Sequence, residues 1–131
     1  MPTHVKIIRA TDFLIATPKG QVDFENSKRL LMTIASGSVS LVANEILLDM
    51  RSAQSELSAA DLWDLAAQLS RRRTAFPGKI AVLCSLRISA QAAFFALCAQ
   101  NRGFPVSAFT TFEDAIKWLS ADGPQPQQYV V

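Results

Sequence analysis

The feature that most constrains the fold is a repeated plan: an apolar, β-rich run followed by a capped helix, three times in succession. The runs are residues 45–51, 79–84 and 106–109, and the helices after them are predicted at 58–73, 89–102 and 111–120. The first run carries apolar residues on both faces, which is typical of an inner strand covered from both sides. Successive strand–helix units join parallel strands through right-handed crossovers. The sequence therefore predicts an α/β domain with three parallel strands.

The ends of these helices are predicted from capping residues. Residues 58–61 and 110–113 have the spacing of a capping box, and Ser89 is a candidate cap for the helix between them. Gly103 follows the last apolar position of that middle helix, where a glycine commonly ends a helix. Pro77 lies just beyond the first helix and stops it.

The amino-terminal part of the chain predicts a hairpin. Residues 5–9 and 13–17 are β-rich, and Thr11–Asp12 between them is typical of a turn. Residues 18–20, Pro-Lys-Gly, are expected to break the second strand.

A helix is predicted to follow this hairpin. Asp23 is its candidate cap, and apolar residues at helical spacing predict that it covers residues 23–36. Residues 37–44 are predicted to be a loop, and Val39 and Leu41 leave a short edge strand as the alternative.

Length and composition indicate one domain without a strong charge bias. The chain has 131 residues, half of them hydrophobic, and a net charge of +2. The hydrophobic half provides enough apolar surface for a core. A net charge of +2 is too small to indicate a nucleic acid or an anionic membrane as partner. We predict one domain over residues 1–120 and a flexible tail over 121–131. Without a signal-like start or a run of ~20 apolar residues, we expect a cytoplasmic protein.

Sequence motifs of catalysis or cofactor binding are missing. There is no glycine-rich phosphate loop and no nucleophile elbow. His4 is the only histidine, so it cannot complete a zinc set with Cys84 and Cys98, which we expect to be buried, reduced thiols. We therefore expect no enzyme, no metal and no cofactor. The basic run 71–73 is interpreted as the solvated end of a helix.

Two segments, together with the order of elements, resemble a known fold. They are residues 45–51, Glu-Ile-Leu-Leu-Asp-Met-Arg, and the ending 106–119, in which Phe112, an acidic pair and Ala115 precede Trp118-Leu119. They resemble the STAS-like fold of small bacterial anti-sigma-factor antagonists, and the ending is similar to that of an uncharacterised subgroup of small stand-alone bacterial proteins. The resemblance covers about residues 3–120.

This resemblance implies an α/β, STAS-like architecture. It consists of an amino-terminal β-hairpin followed by βα units, in a mixed, mostly parallel sheet of about five strands with about four helices. It also implies a regulatory or protein-interaction role.

The sequence departs from the family where the regulatory serine would lie. In regulatory STAS proteins the corresponding strand leads into an Asp-Ser-Ser-Gly-like turn, whose serine is phosphorylated by a partner kinase. Residues 50–58 contain Ser52, Ser55 and Ser58 but no Asp-Ser and no Ser-Gly pair. A phosphoserine switch therefore stays an alternative to the simpler interpretation of Ser58 as a helix cap.

A candidate binding site follows from the predicted topology, because ligands of open α/β sheets bind beyond the carboxyl ends of the parallel strands. Helix amino termini and arginines there favour a phosphate or a partner's carboxylate. The predicted ligand- or partner-binding residues are Asp49, Arg51, Ser52, Ser55, Arg87 and Ser89, with Ser85, Thr110 and Thr111 at the same edge.

Three functions compete. The leading one is a non-catalytic STAS-like regulatory or interaction module that binds an unidentified protein partner or a small anionic ligand. The alternative is a small-molecule or lipid carrier with an apolar pocket, which the many aliphatic side chains favour. The least favoured is an enzyme that uses Asp49 with Arg51 or Arg87.

Apolar side chains on both faces of the predicted inner strands require cover on both sides. We expect the hairpin and the first helix, or a second subunit in a homodimer, to cover the face that the other helices leave. Trp63, Phe95 and Trp118 lie one position off their helical stripes, which indicates a wide apolar stripe or an interface. Leu65→Ala and Phe94→Ala, as core substitutions, should each cost about 2–5 kcal/mol.

Overall fold

The computed structural model describes residues 4–9, 13–35, 45–72 and 78–121. A short 3-10 helix, Leu86–Ile88, precedes the third α-helix. The strands and α-helices, in chain order, are β1 (His4–Arg9), β2 (Phe13–Val22), α1 (Phe24–Ala35), β3 (Glu45–Asp49), β4 (Ala53–Ser55), α2 (Ala59–Arg71), β5 (Ile80–Leu83), α3 (Ser89–Gln100), β6 (Val106–Phe109) and α4 (Phe112–Ser120).

The strands lie in the order β1-β2-β3-β5-β6, and the short β4 pairs with β2 beside this path. β1 is antiparallel to β2, which confirms the amino-terminal hairpin. The pairings β2–β3, β2–β4, β3–β5 and β5–β6 are parallel. The predicted parallel trio is therefore confirmed as β3, β5 and β6, and each predicted α-helix is found within two residues of its expected bounds.

Two apolar clusters lie on opposite faces of the sheet. The larger one joins alternate strand residues such as Ile46 and Val82 to the helices α1, α2 and α3. The smaller one joins the intervening strand residues Leu47 and Leu83 to Leu119 of α4. The expectation that the hairpin and the first helix cover the second face was wrong, because α1 packs on the first face and α4, which follows β6, packs on the second. That a second subunit adds to this cover stays a prediction.

β2 is longer than predicted. Residues 18–20 do not break it, because its second half finds a partner in β4, where Gly20 pairs with Ala53 and Val22 pairs with Ser55. Gly20 adopts a φ of +87°, a left-handed conformation that glycine tolerates, at the point where β2 changes partner from β3 to β4. The tertiary pairing thus overrides the local turn signal.

The helix ends follow the predicted caps in three places and depart from them in two. Asp23 caps α1, because its Oδ1 accepts from the amide of Asn26 at 2.8 Å. Ser58 and Asp61 form a reciprocal capping box at α2. Gly103, at φ +89°, ends α3 in a Schellman motif, in which its own N–H and that of Phe104 donate to carbonyls of the last turn. Ser89 is not a cap, because it is the first residue of α3 and its hydroxyl donates to the carbonyl oxygen of Leu86 at 2.9 Å.

At α4 the cap lies one residue later than expected. Thr111, not Thr110, accepts the hydrogen bond from the amide of Asp114, at 3.2 Å. The helix consequently begins at Phe112.

The apolar spacing of α3 predicts an inner stripe through Phe94, Leu97 and Cys98, and of these three only Cys98 is buried. Ala92, Ala96 and Ala99 are buried, whereas Phe94 is 36% exposed and Leu97 is 53% exposed. The helix is apolar around its whole circumference, so its sequence carries no period that selects a face. Close packing of small alanines against α2 and the sheet decides the orientation instead.

The three aromatic residues that lie off their helical stripes have different surroundings. Trp63 is exposed and stacks under the guanidinium of Arg102, 4.9 Å from the ring centroid. Phe95 packs against the larger core cluster. Trp118 packs on Phe109, with ring centroids 5.6 Å apart. A wide apolar stripe accounts for the last two.

Some predictions fall on residues outside the described ranges: the turn Thr11–Asp12, the loop 37–44 and the tail from residue 122 onward. The limits of the domain stay a prediction. Cys84 and Cys98 are buried free thiols, as expected. Of the helices in the described ranges, none has the length and apolar character needed to cross a membrane.

Candidate functional site

At the carboxyl end of β3, Asp49 and Arg51 form an ion pair with each other. Nε of Arg51 donates to Oδ1 of Asp49 and Nη2 donates to Oδ2, both at 3.0 Å, and the amide of Arg51 donates to Oδ1 at 3.1 Å. This bidentate geometry is the strong form of a carboxylate–guanidinium contact. Arg51 therefore has its charge matched by its neighbour before any external anion arrives.

The ionisation of both groups reflects this pairing. Partial burial of Asp49 opposes its ionisation, but the hydrogen bonds and charge of Arg51 outweigh burial and hold the pKa of Asp49 below its ordinary value. The same hydrogen bond raises the pKa of Arg51. The pair is a stable local unit of the chain rather than a vacant anion receptor.

The other residues predicted for this edge make no side-chain hydrogen bond with one another within the described ranges. Arg87 is exposed on the 3-10 helix, and Ser52 is exposed in the turn after β3. Ser85 is the amino-terminal cap of the 3-10 helix but makes no side-chain capping bond. Arg51 contacts Asp49, and no ion pair of Arg87 is found in the described part of the chain.

Two helices at this edge, α2 and α4, already have acidic side chains or capping residues at the backbone N–H groups of their amino termini. The capping box at α2 places the carboxylate of Asp61 on the amide of Ser58, at 3.0 Å. At α4, Glu113 and Asp114 lie in the first turn, where their charges oppose a further anion. The 3-10 helix before α3 has three residues, and α3 begins without a side-chain cap.

A partly open cavity lies between the sheet and the helices α1, α2 and α3, toward the carboxyl ends of the parallel strands. Its volume is about 80 Å³. Twelve of the fifteen residues that line it are apolar, and none is charged. Among them are Leu30 of α1, Leu65 of α2, Phe95 of α3, Leu48 of β3 and Val82 of β5.

Three neutral polar side chains line the same cavity: Ser27 of α1, Ser55 of β4 and Gln91 of α3. The hydroxyl of Ser55 donates to Oε1 of Gln91 at 2.6 Å, across 36 positions of sequence. Ser55 is the one predicted site residue that lines the cavity. Its position depends on β4, which holds it at the end of β2.

Sequence reasoning missed Gln91 and Ser27 as site residues. Gln91 interrupts an otherwise apolar segment of α3, which was the available signal. Ser27 lies in the first turns of α1 and had no distinguishing pattern. No group of three metal-ligating side chains occurs in the described ranges.

Comparison with known proteins gives matches of structure alone. No protein-family model matches the chain, and no curated protein matches it. An uncharacterized protein of the DUF3478 family with a SpoIIAA-like fold, from Shewanella loihica PV-4, is 18% identical, with a TM-score of 0.58 over 90% of this chain and 94% of that one.

Two further solved structures with the same fold are anti-sigma factor antagonists. An anti-sigma factor antagonist from Mycobacterium paratuberculosis is 15% identical, with a TM-score of 0.61 over 91% of this chain and 95% of that one. The anti-sigma factor antagonist SpoIIAA in its unphosphorylated form is 13% identical, with a TM-score of 0.55 over 92% and 99% of the two chains. With a hairpin, parallel strand–helix units and these structural matches, the chain has the SpoIIAA-like, or STAS, fold.

Proposed function

We propose that this protein is a small non-catalytic binding module that holds a small, mainly apolar molecule in the cavity between α1, α2, α3 and the sheet. The observation that carries this proposal is the cavity lining, which is apolar apart from three neutral polar side chains. Ligand sites in proteins are typically apolar concavities with a few placed polar groups. This favours the carrier alternative over an anion-binding edge.

The position of the cavity also supports the proposal. It lies where open α/β sheets bind ligands, toward the carboxyl ends of the parallel strands, and between the sheet and the helices that pack on it. Elements far apart in sequence must all be in place to form it, so a bound ligand would stabilise the fold by mass action.

A cavity-filling substitution tests this function. Ala92 lines the cavity and is buried, whereas Ala93, the next residue of α3, is exposed and does not line it. We expect solvent extraction and mass spectrometry to find a small molecule bound to the wild type and to Ala93→Met, and not to Ala92→Met. Equal retention by all three proteins, or no ligand on the wild type after purification from cells, would contradict the proposal.

A second candidate function, docking of a protein partner, is favoured by exposed apolar side chains on α3 and on the 3-10 helix before it. Leu86 of the 3-10 helix is 80% exposed, and Phe94 and Leu97 of α3 are 36% and 53% exposed. Exposed apolar patches mark interaction sites. Two of the solved structures with this fold are anti-sigma factor antagonists, which supports a regulatory partner or a second copy of the chain.

The test of this second function is sedimentation and affinity capture with Leu86→Glu/Leu97→Glu. Both side chains are exposed, so the fold should be preserved. A partner or dimer contact through Leu86 and Leu97 should be lost in the double variant. The same contact should be kept in Arg71→Glu, because Arg71 is an exposed residue on α2. Unchanged association in the double variant would exclude these side chains as the docking surface.

The predicted anion site remains a weaker proposal; its residues are Asp49, Arg51, Ser52, Ser55, Arg87 and Ser89. Arg87 is the exposed cation to test, because Arg51 is paired with Asp49. Sulfate should bind weakly at low salt and lose that binding in Arg87→Glu, as followed by calorimetric titration. Equal sulfate affinities of the wild type and Arg87→Glu would show that these residues are only helix caps and solvated surface groups.

A further inference from the structure

We infer that the cavity selects neutral ligands with an apolar body and one hydrogen-bond acceptor, such as a carbonyl oxygen, which the side-chain amide of Gln91 receives. This inference rests on the proposed function and names the ligand class of that cavity. It follows from the arrangement of Gln91, Ser55 and Ser27 and from the absence of charge on the lining residues.

The side chain of Gln91 is held in place by β4. The hydroxyl of Ser55 donates to Oε1 of Gln91 at 2.6 Å, and the backbone amide of Leu57 approaches the same hydroxyl oxygen at 3.4 Å. A separation of 2.6 Å is typical of an O–H···O hydrogen bond and short for an N–H···O one, so the amide oxygen, and not the nitrogen, faces Ser55. A rotamer-rich side chain on α3 is thereby fixed before a ligand enters.

This orientation leaves the donors of Gln91 available. An amide group has one acceptor oxygen and two N–H donors on Nε2. The oxygen is used by Ser55, and Nε2 makes no hydrogen bond within the described part of the chain. The hydroxyl of Ser27, on the α1 side of the cavity, likewise has no hydrogen-bond partner among the described residues. The cavity therefore offers donors to an acceptor on the ligand.

The charge of the lining decides between a carbonyl and a carboxylate. No lysine, arginine or histidine lines the cavity. A carboxylate that enters loses its hydration and gains no counter-charge, which is costly in an apolar site. A ketone, ester or amide oxygen has far less hydration to lose and needs one or two donors.

The volume limits the ligand to a small group or a protruding chain. About 80 Å³ is roughly half of an engineered apolar cavity of about 150 Å³ that accepts benzene. Because the cavity is partly open, a larger ligand can place one small apolar part inside and extend the rest toward solvent. Five-membered rings are therefore suitable probes.

Three probes separate the contributions: cyclopentanone and methylenecyclopentane have nearly equal shapes and differ in the acceptor oxygen, and the larger cyclopentanecarboxylate adds a negative charge. Titrations of the full chain are followed by the ¹H–¹⁵N signals of the Gln91 side-chain amide and of the backbone around the cavity. We expect cyclopentanone to bind about three- to tenfold more tightly than the hydrocarbon, from the hydrogen bond, and the carboxylate to bind more weakly than both.

Two variants of Gln91 test the role of its amide. Gln91→Met removes the N–H donors. Gln91→Glu also removes them but keeps an oxygen that accepts from Ser55, so it provides the test if Gln91→Met does not fold. Both should bind cyclopentanone no more tightly than the wild type binds methylenecyclopentane. Gln54→Met, an exposed glutamine on β4 that does not line the cavity, should bind all three probes as the wild type does.

The outcomes distinguish this inference from the proposed function. If cyclopentanone and the hydrocarbon bind with equal affinity in the wild type and in both Gln91 variants, the inference that Gln91 receives an acceptor of the ligand is overturned. That result leaves the proposed apolar binding cavity in place. Tighter binding of the carboxylate overturns it as well. If no probe shifts the cavity signals, both the inference and the proposed function fail.

Discussion

The ammonium group of Lys79 closes the carboxyl end of the last helix, 39 residues away, by donating to the carbonyl oxygen of Trp118 at 2.9 Å. It donates to the carbonyl of Ala121 at the same distance and lies 5.5 Å from the centre of the Trp118 ring. The last carbonyls of a helix lack intrahelical partners, and a cation there also complements the helix dipole.

Lys79→Met should therefore lower the free energy of unfolding by about 1–2 kcal/mol, from lost charged hydrogen bonds and a lost cation–π contact. Urea denaturation measures it. Lys117→Met is the matched control, because Lys117 is an exposed lysine in the last turn of α4, and it should change the value by less than about 0.5 kcal/mol. Similar losses in both would show that Lys79 does not hold the helix end.

Leu65→Ala should cost about 2–5 kcal/mol, since Leu65 is 4% exposed at the packed face of α2. For Phe94→Ala the expectation from sequence is revised to less than about 1 kcal/mol, because more than a third of Phe94 is exposed. Equilibrium unfolding of the two variants side by side checks both values. A larger loss for Phe94 than for Leu65 would mean that α3 is rotated from its observed orientation.

The Asp49–Arg51 pair predicts a dependence of stability on pH. The folded-state pKa of Asp49 lies below that of an unfolded aspartate, about 3.9, so the carboxylate stabilises the fold above that pH. This contribution is lost as the pH falls through the folded-state pKa. Asp49→Asn should lower stability at pH 7 by about 0.2–1 kcal/mol, a modest value because Arg51 is half exposed.

The difference between wild type and Asp49→Asn should shrink steadily as the pH is lowered from 5 toward about 2, as followed by urea denaturation. Asp64→Asn serves as control, because Asp64 takes part in no ion pair with the described residues. A pH-independent difference for Asp49→Asn would point to packing, not to ionisation.

Cys84 should resist thiol reagents in the folded protein. Burial raises the pKa of its thiol, which keeps the reactive thiolate scarce. Mass spectrometry after treatment with a maleimide at pH 7.5 should show no adduct on Cys84 in buffer and full modification in urea. A Cys84 adduct at native conditions, with Cys98 unmodified, would contradict this, since Cys84 is the more deeply buried of the two.

The helices could be predicted closely because their signals are local. The capping box at Ser58 and the glycine at 103 mark α2 and α3 within one turn of sequence. Strand β4 could not be predicted in the same way, because Ala53-Gln54-Ser55 has little β propensity and is extended only through its pairing with β2.

The cavity escaped prediction for a related reason. Its polar side chains Ser27, Ser55 and Gln91 belong to three elements separated in sequence, and their meeting depends on how the helical layer packs on the sheet. The cavity lies toward the carboxyl ends of the parallel strands, the edge at which topology predicts a site, and Ser55 is one of the predicted residues in its lining. Which of those polar groups face inward and which face solvent is decided by tertiary packing alone.

The cover that α4 provides for the second face has a consequence for synthesis of the chain. Leu47, Ala81 and Leu83, at the centre of that face, pack against Ala115 and Leu119 of α4, the last helix of the described chain. During synthesis α4 is made after the strands that it covers, so one side of the sheet exposes an apolar surface until α4 is complete. That side is therefore covered only when α4 docks, later than the side on which α1, α2 and α3 pack.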